Sequence, residues 1–151
     1  MDSKTAMYLL RRMRHDYANH VQVISGWLEL GQPEMIRIAL LEMQAMLERD
    51  AEILHNSVPE AALFLYECVQ QSSELGIDLV CGEISTVSWE YLQLDNQPMS
   101  FLRSVAQDPK WQESEVFLSV RETERNGGIE LFLTLKSDRG GEFNHTIHKL
   151  N

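Results

Sequence analysis

Two runs of heptad-spaced apolar residues, separated by only three residues, constrain this chain more than any other feature. From Ser3 to Leu30 there is no proline, and the only interior glycine is Gly26. Met7, Leu10, Tyr17, Val21, Ile24 and Leu28 fall at a and d of a heptad, with Arg14 the single break in the register. Gly31 supplies a C-terminal stop, and Pro33 suits the first turn of a following helix. From Glu34 to about His55 the pattern resumes with Ile36, Leu40, Met43, Leu47 and Leu54 on one face, interrupted by Asp50. A Gly-Gln-Pro link predicts an antiparallel helical hairpin with arms of ~35–40 Å at ~1.5 Å per residue. The second helix carries a further stripe, Met35, Ile38, Ala39, Leu41, Ala45 and Met46, which one partner helix cannot bury. Dimerisation of two hairpins into a four-helix bundle is the expected solution.

The remainder changes period. Pro59 opens a predicted helix over about Glu60–Glu74, with Ala62, Leu65, Tyr66 and Val69 as its packing side and Gly76 as its end. Ile77–Cys81 and Ile84–Trp89 have strand composition, and Pro98–Gln107 fits a short helix. Val116–Arg121 and Ile129–Leu135 are joined through Arg125-Asn126-Gly127-Gly128, a hairpin signal, and Phe143–Leu150 suits a third antiparallel strand. The expected fold is α+β, with a helical hairpin over residues 1–57 and a small mixed domain over 58–151. At 151 residues and 44% apolar, such a division leaves enough material for one real core.

Charge separates the same halves. The total is −10, yet residues 1–58 hold six Lys/Arg against eight Asp/Glu, and residues 59–151 hold seven against fifteen. Overall acidity argues against nucleic acid as a partner. There is no long apolar run for a membrane, and Met1–Asp16 is too polar for a secretory signal, so a cytoplasmic location is expected. Cys68 and Cys81 form neither a zinc pattern nor a disulfide framework. His20, His55, His145 and His148 lack partners at ligand spacing, so no metal site is expected.

Against this acidic background, the first helix begins basic, and the cations lead to a histidine. In the heptad phase above, His15 sits at b, beside the seam but outside it. Arg11 and Arg12 lie one turn before it; Asn19 lies one turn ahead, followed by Gln22 and Gly26. An ordinary imidazole, with a pKa of ~6.5, is largely neutral near pH 7 and is a competent nucleophile toward phosphorus. Guanidiniums beside it can neutralise and orient phosphoryl oxygens. Asp16 is placed to hold the imidazole tautomer or act as a base. Gly26 costs ~1 kcal/mol of helix propensity while removing bulk from the stripe, which permits close approach by another protein.

The string Arg14-His15-Asp16-Tyr17-x-Asn19-x-Val21-Gln22-x-Ile24-x-Gly26-x-Leu28-x-Leu30-Gly31 resembles the phospho-acceptor helix of the sporulation initiation phosphotransferase B family. A similar pattern occurs in the citrate/dicarboxylate-type sensor histidine kinases. The resemblance covers about residues 8–55 and extends more loosely over Val58–Cys81. It implies that His15 accepts a phosphoryl group, and that Arg11, Arg12, Arg14, Asn19, Gln22 and Gly26 face the phosphoryl group or a docked receiver. It further implies response-regulator receiver domains as partners, a homodimer, and a second domain descended from a histidine-kinase ATPase. The kinases need an asparagine-bearing helix and an Asp-x-Gly-x-Gly turn for ATP. Pro98–Gln107 contains no asparagine, Ser137-Asp138-Arg139-Gly140-Gly141 has the wrong spacing, and ten residues follow Gly141. The expectation is therefore a phosphotransferase that uses no ATP and no cofactor of its own, Mg2+ arriving with the receiver. By resemblance its pathway is sporulation initiation. A truncated histidine kinase and a non-enzymatic dimerisation scaffold or kinase-binding regulator are the competing readings.

Overall fold

The description rests on a computed structural model, which describes residues 2–55, 58–84, 89–125 and 127–149. Their contacts divide the chain into two units, Met1–Glu52 and Ile53–Asn151.

The first unit is a pair of helices, α1 (Ser3–Glu29) and α2 (Pro33–Leu54). Asp2 caps α1 by accepting the Thr5 amide at 2.8 Å, and that hydrogen bond holds its carboxyl below the usual range. At the other end the Gln32 N–H reaches the Trp27 carbonyl and the Gly31 N–H reaches that of Leu28. This is a Schellman closure, and it requires the left-handed backbone that Gly31 adopts at φ 64°. Pro33 is the first residue of α2, where its missing N–H costs nothing.

The stripe that α1 turns toward α2 is offset from the predicted seam. Leu9 is buried, and Met13, Tyr17, His20, Ile24 and Trp27 are half-buried in line with it. Met7, Leu10, Val21 and Leu28 are 48–68% exposed, and Arg14 is exposed among them. On α2 the inner line runs Ile36, Ala39, Met43, Met46 and Asp50, while Leu40, Leu47 and Leu54 are exposed. Each helix carries two adjacent apolar stripes, and heptad spacing alone does not say which one its neighbour takes.

The second unit runs α3 (Pro59–Glu74), β1 (Asp78–Ile84), α4 (Trp89–Leu94), α5 (Met99–Val105), β2 (Glu115–Arg125), β3 (Gly128–Ser137) and β4 (Glu142–Lys149). The strands form one sheet in chain order, with β1 parallel to β2 and the other pairs antiparallel. α3 packs on β1, burying Ala61, Ala62, Leu65, Tyr66 and Cys68. Val116, Leu118, Val120, Leu131, Leu133 and Leu135 alternate onto the buried face of the sheet, whereas Phe117 and Phe132 stand exposed on the other.

One predicted strand is corrected. Trp89, assigned to a strand over Ile84–Trp89, is the first residue of α4; residues 85–88 lie outside the described ones. The Trp89 ring packs 6.0 Å from Phe64, and Leu92 is buried three residues later, a spacing that suits a helix turn rather than alternation. The turn residue Asn126 also lies outside the described residues, but Arg125 pairs with Gly128 as the hairpin requires.

Candidate functional site

At about 100° per residue, α1 presents three faces. One packs on α2 and a second is the exposed apolar line through Met7, Leu10, Val21 and Leu28. The third is polar: Tyr8, Arg11, Arg12, His15, Asn19, Gln22 and Gly26 fall within one ~100° sector. All the predicted site residues except Arg14 and Asp16 share this sector, and Asp16 still reaches the His15 ring from beside it. Arg14 sits on the exposed apolar line, and Asp16 is half-exposed at the edge of the inner face.

His15 is the centre of the polar face, with its side chain 72% exposed. Arg12 donates from Nη1 to Tyr8 Oη at 3.3 Å, which steadies the guanidinium one turn before the histidine. Sequence reasoning had no role for Tyr8; its spacing of i−4 from Arg12 was the available signal. Nothing lies within 4 Å of a Cβ placed on Gly26, so this part of the stripe is open to an approaching molecule.

Both polar contacts of the His15 ring, among the described residues, are to Nδ1. Asp16 Oδ1 and Asn19 Nδ2 each lie 3.4 Å away. The two neighbours favour opposite tautomers. A carboxylate accepts from Nδ1–H, which leaves the lone pair on Nε2. An amide N–H needs an unprotonated Nδ1, which in the neutral ring puts the proton on Nε2. Asp16 thus favours the Nδ1–H tautomer and Asn19 the Nε2–H tautomer.

A further polar contact joins the next residue of α1 to α2. Tyr17 donates its hydroxyl to Asp50 Oδ2 at 3.5 Å, a polar tie between the two helices. Burial pushes the Asp50 carboxyl up; the Tyr17 hydrogen bond opposes this, the Asp16 charge adds to it and Arg49 lowers it. Tyr17 is raised by burial and by the Asp50 charge. Asp50 had registered in the sequence only as an interruption of an apolar face.

The residues that would have to serve ATP are committed elsewhere. The Asp138 carboxylate accepts the Glu115 N–H at 3.1 Å, and its own amide donates to the Glu115 carbonyl, closing the end of the β2–β3 hairpin. Gly141 lies against Trp111: an added Cβ would stand 2.6 Å from that ring. Trp111 in turn meets Phe101 edge-on, and Phe101 stacks on Phe143 at 3.8 Å. In the turn over Ser137–Gly141, Gly141 is thus packed against an aromatic cluster, while a Cβ on Gly140 would meet open space. His145 Nε2 contacts Asp95 Oδ2 at 2.6 Å and His148 Nδ1 contacts Glu130 Oε1 at 3.3 Å, so the two histidines have separate carboxylate partners. No described helix is long and apolar enough to cross a membrane.

Residues 1–55 match the model of a known family, the sensor kinase SpoOB-type alpha-helical domain. Comparison with curated proteins finds no match to the chain.

Proposed function

We propose that this chain, whose first 55 residues match the model of the SpoOB-type alpha-helical domain, is a histidine phosphotransferase of a phosphorelay. The observation that carries this reading is His15 itself. It is exposed, it has Nδ1 held beside a carboxylate, and guanidiniums occupy the same helix face. In the first step the Nε2 lone pair attacks the phosphorus of an aspartyl phosphate on a receiver domain. The P–N bond forms as the P–O bond to the aspartate breaks, and the aspartate leaves as a carboxylate. The proton stays on Nδ1, where Asp16 balances the imidazolium charge. A second receiver aspartate then attacks the same phosphorus and the imidazole leaves. Such transfer draws on positioning and charge neutralisation, which Arg11 and Arg12 supply. Asn19, Gln22 and Gly26 form the docking surface, and the receiver brings its own Mg2+.

A second copy of the chain covers the exposed apolar line of α1 in this reading, giving a four-helix bundle. The packing of Gly141 against Trp111 supports phosphotransfer over an ATP-dependent kinase, with the second unit a degenerate relic of such a domain. Sporulation initiation is the pathway the resemblance suggests. The test is a label chase with three arms. A phosphorylated receiver should label the protein with acid-labile, base-stable phosphate that a second receiver removes, and His15→Ala should abolish it. ATP with Mg2+ should give no label. Labelling from ATP would establish the kinase, and partner binding without any transfer would establish the scaffold.

A further inference from the structure

We infer that the outer side of the β-sheet is a docking surface for an acidic amphipathic helix of a partner protein. Phe117 and Phe132 receive its apolar stripe, and Arg121 and Lys136 receive its carboxylates. All four side chains belong to the second unit, and none belongs to the site around His15.

The register of β2 and β3 builds this surface. With their valines and leucines committed to the buried side, alternation sends odd-numbered residues of β2 and even-numbered residues of β3 to the other. Phe117 lies directly across from Lys136, and Arg121 directly across from Phe132. Each pair sets an aromatic ring beside a cation, and the two pairs are about 13 Å apart along the strands at ~3.3 Å per residue. Between them Ser119 faces Thr134, whose hydroxyl donates to Asn144 Oδ1 on β4 at 2.9 Å. Together these residues line one concavity of about 620 Å³.

Three features of the surface select its occupant. Phe117 is 45% and Phe132 38% exposed, whereas the leucines of the same strands are at most 1% exposed. The unit already has its core, so the two rings are apolar area left for a partner. Charge is the second feature. Residues 59–151 hold seven Lys/Arg against fifteen Asp/Glu, yet the concavity is lined by two cations and one carboxylate. That carboxylate, Glu142, accepts from Asn144 Nδ2 at 3.1 Å. A locally positive surface is complementary to a few matched carboxylates. The surrounding acidity repels a nucleic acid, which needs cations along a whole run of phosphates. Length is the third feature. A span of ~13 Å exceeds a single-ring ligand and corresponds to about two and a half turns of helix at ~5.4 Å per turn. A helix satisfies its own backbone and lays one stripe on a sheet; an extended strand laid flat there would leave its N–H and C=O groups facing side chains.

The experiment uses the full chain, 15N-labelled, and two synthetic 20-residue helical peptides. One carries leucines at i, i+3, i+4 and i+7 flanked by glutamates; the other has lysine at every glutamate. Fluorescence anisotropy reads affinity, and amide shifts read the place of binding. The acidic peptide should move amides of β2 and β3 and bind about 10-fold more tightly than the basic one. Arg121→Gln combined with Lys136→Gln should weaken it about 10-fold and remove most of its salt dependence between ~50 and ~300 mM. Phe117→Ser should weaken it about 5-fold. The double variant changes only exposed side chains and decides the matter if Phe117→Ser does not fold. Equal affinity for both peptides, no binding, or parental binding in the double variant would overturn the inference. So would shifts confined to α1 and α2, which would mean that the peptide only covers the helix pair. Self-association of the parent chain that Phe117→Ser abolishes would give the surface to a second copy and overturn it as well.

Discussion

The two units of the chain solve opposite problems. In the second, three leucines of β3 are 0–1% exposed and face a sheet side that also buries Val116, Leu118 and Val120. In the two helices of the first, only Leu9, Ala39 and Ile53 are buried among the described residues, and large apolar side chains line the surface. Stability resides where the chain has little exposed chemistry, while the exposed histidine stands on the unit with almost no core. A helix pair of this kind gains full stability only when a second surface covers its outer stripe.

Truncations on the two sides should show the largest contrast. Leu118→Ala removes a side chain at 0% exposure and should cost ~3–4 kcal/mol in denaturant unfolding. Leu28→Ala, at 68% exposure, should cost under ~0.5 kcal/mol in dilute protein. Its cost should grow with concentration if a second copy covers that line, as sedimentation of both variants would register. Equal costs at all concentrations would break the contrast between a closed unit and an open one.

Two glycines sharpen it further. Gly141→Ala forces a methyl group against Trp111 and should destabilise by ~1–3 kcal/mol. Gly26→Ala meets open space within a helix and should stabilise by ~0.5–1 kcal/mol. If Gly26 serves docking, the same alanine should weaken receiver-dependent labelling while it raises the melting temperature.

These contrasts also mark what was legible in the sequence. Helix ends were readable because Gly31, Pro33, Pro59 and Gly76 have backbone reasons to stand where they do. The β2–β3 hairpin was readable because strand alternation and a glycine turn agree. Trp89 was misread because an aromatic after a β-branched run looks like strand until its contact with Phe64 is seen. The polar stripe of α1 was fully legible, being a matter of spacing on one helix. The inner stripe was not, since its choice depends on how α2 docks. The Tyr17–Asp50 tie escaped for the same reason: 33 residues separate partners that meet only across the pair.

The smallest expected effect concerns pH. Burial raises the Asp50 carboxyl in the folded chain, so the folded state binds its proton more tightly than the unfolded state does. Its contribution to stability is complete below the unfolded value and declines as pH rises through the raised folded value. Asp50→Asn should remove that decline, giving a flatter stability profile above pH 4 and slightly greater stability at neutral pH. A profile that keeps the parental slope would place the titration on another group.

The central claim, that the open unit carries the chemistry, has a direct measurement. After incubation with a phosphorylated receiver and no ATP, fragmentation mass spectrometry at alkaline pH localises the phosphoryl group. Modification of His15 alone, on Nε2, is expected, with none in residues 59–151. Phosphate on another residue, or its appearance only when ATP is supplied, would contradict it.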